Sequence, residues 1–373
     1  MADAKRSSRS NANDRAATKR VRRWRRLMSV GLRHSESTDP GWTRRRCGRG
    51  FTFLDEHGRT IRDRGVRHRL LALAIPPAWN NVWICTDPRG HLQATGWDAA
   101  GRHQYIYHPK WHELQAVEKF DSLNSFAQRL PKLRRKLRRD LNRPGLSKKR
   151  VVASVIRVMD RGHLRVGNDR YLQSSGSRGA TTLGGENVDL CGDQIQVQFR
   201  GKSGQTRSVQ FRDPLVAKLL TTISDLDAQR LFVYEDRRGE LRPIDSTDVN
   251  FYLRRSAGRD ITAKTFRTWA GCVLALQFFH ELWLGGQPIG QKKSSVEIVK
   301  RVAAELGNTP SVCRSSYIHP DLMSAASDGS LAEWFADTDD ESLPTIRELN
   351  IDERRFLAWT ERSTTRRFRR QAA

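Results

Sequence analysis

Leu306-Gly307-Asn308-Thr309-Pro310-Ser311-Val312-Cys313-Arg314-Ser315-Ser316-Tyr317-Ile318-His319-Pro320 is the stretch on which the reading of this chain turns. Upstream of it, Val296, Val299, Val302/Ala303 and Leu306 recur at helical spacing and make one apolar stripe. Gly307 is suited to end that helix, because glycine takes the left-handed conformation past a C-terminus without steric cost. Thr309 then reads as the N-cap of a second helix, with Pro310 at its first position, where a missing N–H costs nothing. Pro320 disfavours further helix and limits its length. Tyr317 is thereby fixed near the end of a short helix. Taken alone, such a tyrosine reads first as a core aromatic with its hydroxyl satisfied.

The composition narrows what the surroundings can be. A chain of 373 residues with ten Trp and fourteen Phe is long enough for two or three domains with real cores. No apolar run is long enough to cross a bilayer, and the N-terminus lacks the apolar core of a secretion signal. Cys47, Cys85, Cys191, Cys272 and Cys313 are scattered without a C-x-x-C pair, which suits a reducing compartment; a cytoplasmic protein is expected. The net charge of +26 is the dominant feature. Residues 1–50 carry 15 Lys/Arg against 4 Asp/Glu, so +15 is left for the remainder and the charge is not confined to a tail. So large an excess repels itself without a polyanion to bind, and nucleic acid is the first candidate.

Moving outward, residues 1–40 are rich in Arg, Ser, Asn and Ala and read as a disordered basic arm. Residues 41–110 carry short strand signals separated by turns: Phe51 to Leu54, Val82 to Cys85, His91 to Gly96 and Tyr105 to His108. Arg64 to Ala74 predicts a helix within this β-rich domain. In Gly101-Arg102-His103-Gln104-Tyr105-Ile106-Tyr107-His108, strand geometry puts Tyr105 and Tyr107 on one face and Gln104 and Ile106 on the other. Residues 111–336 are mostly helical, with cationic outer faces and Pro131 expected to break one run. Within them Ile195, Val197 and Phe199 alternate with polar residues, and Gly201-Lys202-Ser203-Gly204-Gln205 turns into a second strand, so a hairpin carries Lys202 at its tip. Ala263 to Leu284 predicts a buried central helix. Residues 337–373 read as a peripheral helix and a basic tail. The expected class is α+β, a small β-rich domain followed by a mostly helical one.

No Walker-type loop is present, because Gly201-Lys202-Ser203 lacks the upstream glycine and leads into a strand. No His/Asp/Glu cluster has metal spacing, so no metal and no cofactor are expected. Several stretches, in order, resemble the type IB DNA topoisomerases, in particular the short poxvirus and bacterial form. They are Ile75-Pro76-Pro77-Ala78-Trp79, the 101–108 strand, Leu164-Arg165-Val166-Gly167-Asn168, Gly179-Ala180-Thr181-Thr182-Leu183, the Lys202 turn, Lys264-Thr265-Phe266-Arg267-Thr268-Trp269-Ala270-Gly271, and the 306–320 stretch. The resemblance runs from about Gly41 to about Ser330. It implies a helical catalytic domain of the tyrosine recombinase/topoisomerase type, and a monomer that clamps double-stranded DNA.

The resemblance also groups five residues that spacing alone would not. Tyr317 matches the nucleophile, which forms a 3′-phosphotyrosyl ester and expels a 5′-hydroxyl; the ester keeps the bond energy, so resealing needs no ATP. Arg165 and Arg267 match the guanidiniums that receive charge on the non-bridging oxygens. Lys202 matches the general acid. Asn308 stands where several relatives carry His; its amide can donate to a phosphate oxygen but transfers no proton. By the same carry-over Arg102, Gln104, Tyr105 and Tyr107 contact DNA, while His103 replaces the Lys or Arg common in relatives. Two rival readings are a tyrosine recombinase, whose usual set carries more histidine around the second Arg, and a non-catalytic basic DNA-packaging protein.

Overall fold

The computed structural model describes residues 24, 26–201, 204–224, 226 and 228–372, with side chains as far as Ser363. The chain divides into two units, residues 1–119 and 120–373. This division falls nine residues beyond the boundary that strand and helix signals suggested, inside the Pro109–Leu141 helix.

The first unit is built on a five-stranded antiparallel sheet in the order β2-β1-β3-β4-β5, with β1 Gly41–Cys47, β2 Gly50–Leu54, β3 Asn80–Cys85, β4 Leu92–Trp97 and β5 His103–Tyr107. Its core packs Phe53, Val82, Ile84 and Ala94 against Leu70 of the Arg64–Ala72 helix, which Asp63 caps by accepting from the Val66 N–H. The Ile75-to-Trp79 turn is held by one side chain: Arg44 donates to the carbonyls of Ile75, Pro76 and Trp79 at 2.8, 2.9 and 2.9 Å. The arm expected over residues 1–40 does not extend over the described stretch from Arg26 to Pro40. Residues 1–23 and 25 lie outside the described residues, but from Arg26 onward the chain is folded. Leu27 and Leu32 are buried against Trp111, and Ser35 binds the His91 ring through its N–H. Three apolar residues, Leu27, Val30 and Leu32, override the basic composition there by finding an aromatic surface.

The second unit is helical around the Ala263–Leu284 helix, whose bounds match the sequence expectation. Pro131 does not break its helix; Pro109–Leu141 runs through it as 33 residues. An internal proline costs about 3 kcal/mol or more. Leu123, Phe126, Leu130, Leu133, Leu137 and Leu141 are all buried on the two sides of it. At about 1.5–3 kcal/mol each, that burial exceeds the proline penalty several-fold. A three-stranded sheet, β6 Val188–Cys191, β7 Gln194–Arg200 and β8 Thr206–Arg212, forms the predicted hairpin, with Ile195, Val197 and Phe199 buried. The last helix, Ile351–Ala372, is not peripheral. Phe356 and Trp359 are buried, and Glu353 takes two hydrogen bonds from Arg134 and one from the Trp269 indole. Among the described residues no helix is long and apolar enough to cross a membrane.

Candidate active site

The site forms at the carbonyl end of the Lys292–Leu306 helix. Gly307, at φ +57°, closes it in a Schellman arrangement: the N–H of Asn308 reaches the Ala303 carbonyl and that of Gly307 the Ala304 carbonyl. This leaves a run of main-chain oxygens with spare acceptor capacity, and guanidiniums take them. Arg207 donates to the carbonyls of Ala304 and Glu305. Arg267 donates to that of Leu306 at 2.7 Å, and Arg165 to that of Gly307 at 3.1 Å. Four successive carbonyls therefore hold three cations at the negative end of a helix dipole. Among the described residues none of the three pairs with a carboxylate.

Each guanidinium is delivered by a different element. Arg165 follows the Lys148–Gly162 helix, which ends at His163 in the left-handed conformation. Its loop is clamped by the Gly179-to-Leu183 motif: the N–H groups of Ala180 and Thr181 donate to the carbonyls of Arg165 and Val166 at 2.8 and 2.7 Å. A Cβ on Gly179 would lie 2.7 Å from the Arg165 oxygen, so the approach requires glycine. Arg267 sits on the first turns of the central helix, 3% exposed, with its other amino group on the His163 carbonyl. Burial, then the neighbouring Arg267 charge, lowers the Arg165 pKa to about 10; burial lowers that of Arg267 as well. His163, whose carbonyl accepts from Arg267, has its imidazole pushed down to about 4, chiefly by burial.

Tyr317 closes the Pro310–Ser316 helix, which Thr309 caps through the Val312 N–H with Pro310 in its first turn. Pro320 opens a further helix, Pro320–Ser327, so the tyrosine lies on a three-residue link between two short helices. The Arg267 guanidinium carbon stands 5.3 Å from the Tyr317 ring centroid. The Tyr317 backbone packs directly on the central helix. A Cβ on Gly271 would come within 2.6 Å of the Tyr317 oxygen, and the Cys272 thiol donates to that same oxygen at 3.2 Å. Asn308 accepts from Arg165 through Oδ1; this fixes the amide orientation and leaves Nδ2 buried beside the Cys313 thiol, with no oxygen acceptor. Arg267 Nε and Arg207 Nε are buried and unpartnered. Orphaned donors of this kind call for an explanation, and three in one place fit a site built for an anion.

Of the five residues grouped by resemblance, Arg165, Arg267, Asn308 and Tyr317 are thus brought together, and Lys202 lies outside the described residues. Arg207 was not among them. The one signal for it was its strand phase: Arg207 shares a face with Val209 and Phe211, where an apolar residue is expected.

In the first unit, β5 presents its faces as expected. Ile106 packs on the core, while Tyr105 and Tyr107 stack at 6.0 Å between centroids on the opposite side, Tyr105 being 49% exposed. His103 stacks on Trp97 and hydrogen-bonds the Tyr105 hydroxyl at 2.9 Å. Arg102 and Gln104 both donate to Asp98 at 2.8 Å, and these bonds, the Arg102 backbone N–H first, hold the Asp98 carboxyl at about 2. Both side chains are thus held in place by a partly buried carboxylate. Among the described residues no group of three His, Cys, Asp or Glu side chains is placed to hold a metal.

Comparison with known proteins gives the family. Residues 108–333 match the eukaryotic DNA topoisomerase I catalytic core, and residues 50–98 match the bacterial DNA topoisomerase IB N-terminal domain. A DNA topoisomerase 1B of Acanthamoeba polyphaga mimivirus is 31% identical over 257 residues, which cover 67% of this chain and 76% of the viral protein. Two solved structures of the XerH site-specific recombinase on difH substrates overlap in part. The post-cleavage complex shows 16% identity at a TM-score of 0.34, covering 55% of this chain and 51% of that one. The pre-cleavage complex shows 14% identity at 0.32, covering 53% and 51%; the chain spans about half the length of either. By the two family matches and the viral relative, the chain belongs to the type IB DNA topoisomerase family.

Proposed function

We propose that Tyr317 is the nucleophile of a DNA relaxation reaction in which one strand of a supercoiled duplex is cut, rotates and is resealed. The phenolic oxygen attacks the scissile phosphorus, the P–O5′ bond breaks as the P–Oη bond forms, and the phenolic proton leaves to solvent. The 5′-oxygen takes up a proton, a role that the family resemblance gives to Lys202. Charge growing on the non-bridging oxygens meets Arg165 and Arg267, and Asn308 Nδ2 supplies a further donor. The two guanidiniums are already oriented by main-chain carbonyls and Asn308 by Arg165, so little reorganisation opposes the reaction. Resealing is the reverse, with the 5′-hydroxyl attacking the phosphotyrosine.

The observation that carries this reading is the collection of unneutralised guanidiniums and orphaned donors beside a tyrosine ring at a helix terminus. A structural core would pair such charges with carboxylates. Arg102, Gln104, Tyr105 and Tyr107 are assigned to backbone and base contacts on double-stranded DNA. Monomeric action in the cytoplasm is part of the proposal, since four of the five groups come together within one unit of one chain. Supercoiled plasmid in EDTA without ATP is the test. The wild-type chain is expected to relax it and to leave an SDS-trapped adduct, while Tyr317→Phe binds DNA but does neither. Relaxation by that variant would remove Tyr317 from the mechanism. Binding is expected to weaken steeply with salt, through counterion release.

A further inference from the structure

Arg207 is the third cation at the carbonyl end of the Lys292–Leu306 helix, and neither the motifs nor the mechanism above uses it. It enters from β8, with both amino groups on the carbonyls of Ala304 and Glu305. The next two carbonyls along the chain are those bound by Arg267 and Arg165. From residue 304 to residue 307 a helix rises only about 4.5 Å, so the three guanidiniums are stacked around one turn. They sense one another: Arg207 is lowered to about 10 by burial, then by the charges of Arg267 and Arg165. Arg207 also lies over Gly307, where a Cβ would stand 2.6 Å from Nη1.

Plain helix capping does not account for this. Water would satisfy exposed carbonyls without charge, whereas a third cation placed beside two others repels both. The same repulsion becomes attraction once a phosphate carrying a full charge, rising in the transition state, occupies the centre.

Resting on the assignment of this site to DNA cleavage, we propose that Arg207 is a further positioning residue of the reaction, whose charge helps to seat the scissile phosphate between Arg165, Arg267 and Asn308. It acts through the field at that phosphate and through the helix end that carries Asn308.

Arg207→Met keeps most of the aliphatic packing on Gly307 and removes the charge; Arg207→Lys keeps the charge and loses the fork. Both are compared with wild type in single-turnover cleavage of two duplexes, one with an ordinary phosphodiester at the scissile position and one with an uncharged methylphosphonate there. Thermal melting of the full chain and affinity for a duplex with a non-cleavable scissile linkage are measured beside them. On the phosphodiester, Arg207→Met is expected to cleave about 10–100-fold more slowly, below the loss typical of a direct oxyanion donor. Arg207→Lys should recover to within about tenfold of wild type. On the methylphosphonate the Met deficit should shrink to about threefold or less, because the charge it answers is gone. An equal deficit on both duplexes, or none on either, overturns the proposal. Tyr317→Phe, run in parallel, separates this from the parent reading: adduct formation by that variant would refute the site itself, whatever Arg207 does.

Discussion

Gly271→Ala tests the packing that holds Tyr317, the proposed nucleophile, in place. The added methyl carbon would stand 2.6 Å from the Tyr317 carbonyl oxygen, 2.9 Å from its Cβ and 3.2 Å from Leu306 Cδ1. Ordinary contact begins near 3.4 Å, so the Tyr317 backbone must retreat by about 0.8 Å on its oxygen side alone. Two effects on stability oppose each other. Alanine in a helix interior gains about 1 kcal/mol over glycine, whereas overpacking costs about 1–3 kcal/mol. Melting should therefore change by only a few degrees. Catalysis has no such offset: a displacement of about 1 Å at the reacting group costs on the order of 100-fold. The assay is single-turnover cleavage of a suicide duplex, with affinity for non-cleavable DNA and the melting temperature measured in parallel. The expected result is a cleavage rate about 100-fold lower with affinity within a few-fold of wild type. Wild-type cleavage by Gly271→Ala would show that the Tyr317 backbone position does not set the rate, and the account of this glycine would fail.

Three further outcomes follow from the same geometry. Asn308→Ala removes both the Arg165 acceptor and the orphaned donor and should slow cleavage about 100-fold or more; Asn308→Asp, which puts an anion beside the phosphate, should be slower still in the same assay. His163 has a folded pKa of about 4, so between pH 4 and its ordinary value of about 6.5 the unfolded chain binds more protons than the folded one. Its contribution is complete above pH 6.5 and is lost as pH falls towards 4, by at most about 3 kcal/mol, and His163→Asn should flatten that limb in urea titrations. Arg134 donates to Asp160, Glu353 and the Glu348 carbonyl from a 12% exposed side chain. Arg134→Met leaves two buried carboxylates unpaired and should destabilise the second unit by about 3–5 kcal/mol in denaturant unfolding.

The sequence by itself determined those features that depend on near neighbours in the chain. The glycine stop, the Thr309–Pro310 start and the alternation in β5 and β7 are short-range steric and hydrophobic signals and appear as read, as does the stripe from Val299 to Leu306; its first member is corrected, because Val296 is exposed and Ile298 is buried instead. The family resemblance, carried by motifs in order, grouped Arg165, Arg267, Asn308 and Tyr317, although nothing local says that residues up to 152 positions apart should meet. What only the tertiary structure decided is where local preference met long-range burial. Leu27 and Leu32 fold part of a segment whose charge suggested an arm. Pro131 stays inside a helix because the apolar residues on both sides of it share a core. The last helix is drawn inward by the Arg134–Glu353 pair. Arg207 was illegible for the same physical reason: its partners are main-chain carbonyls nearly a hundred residues away, and every residue type carries those.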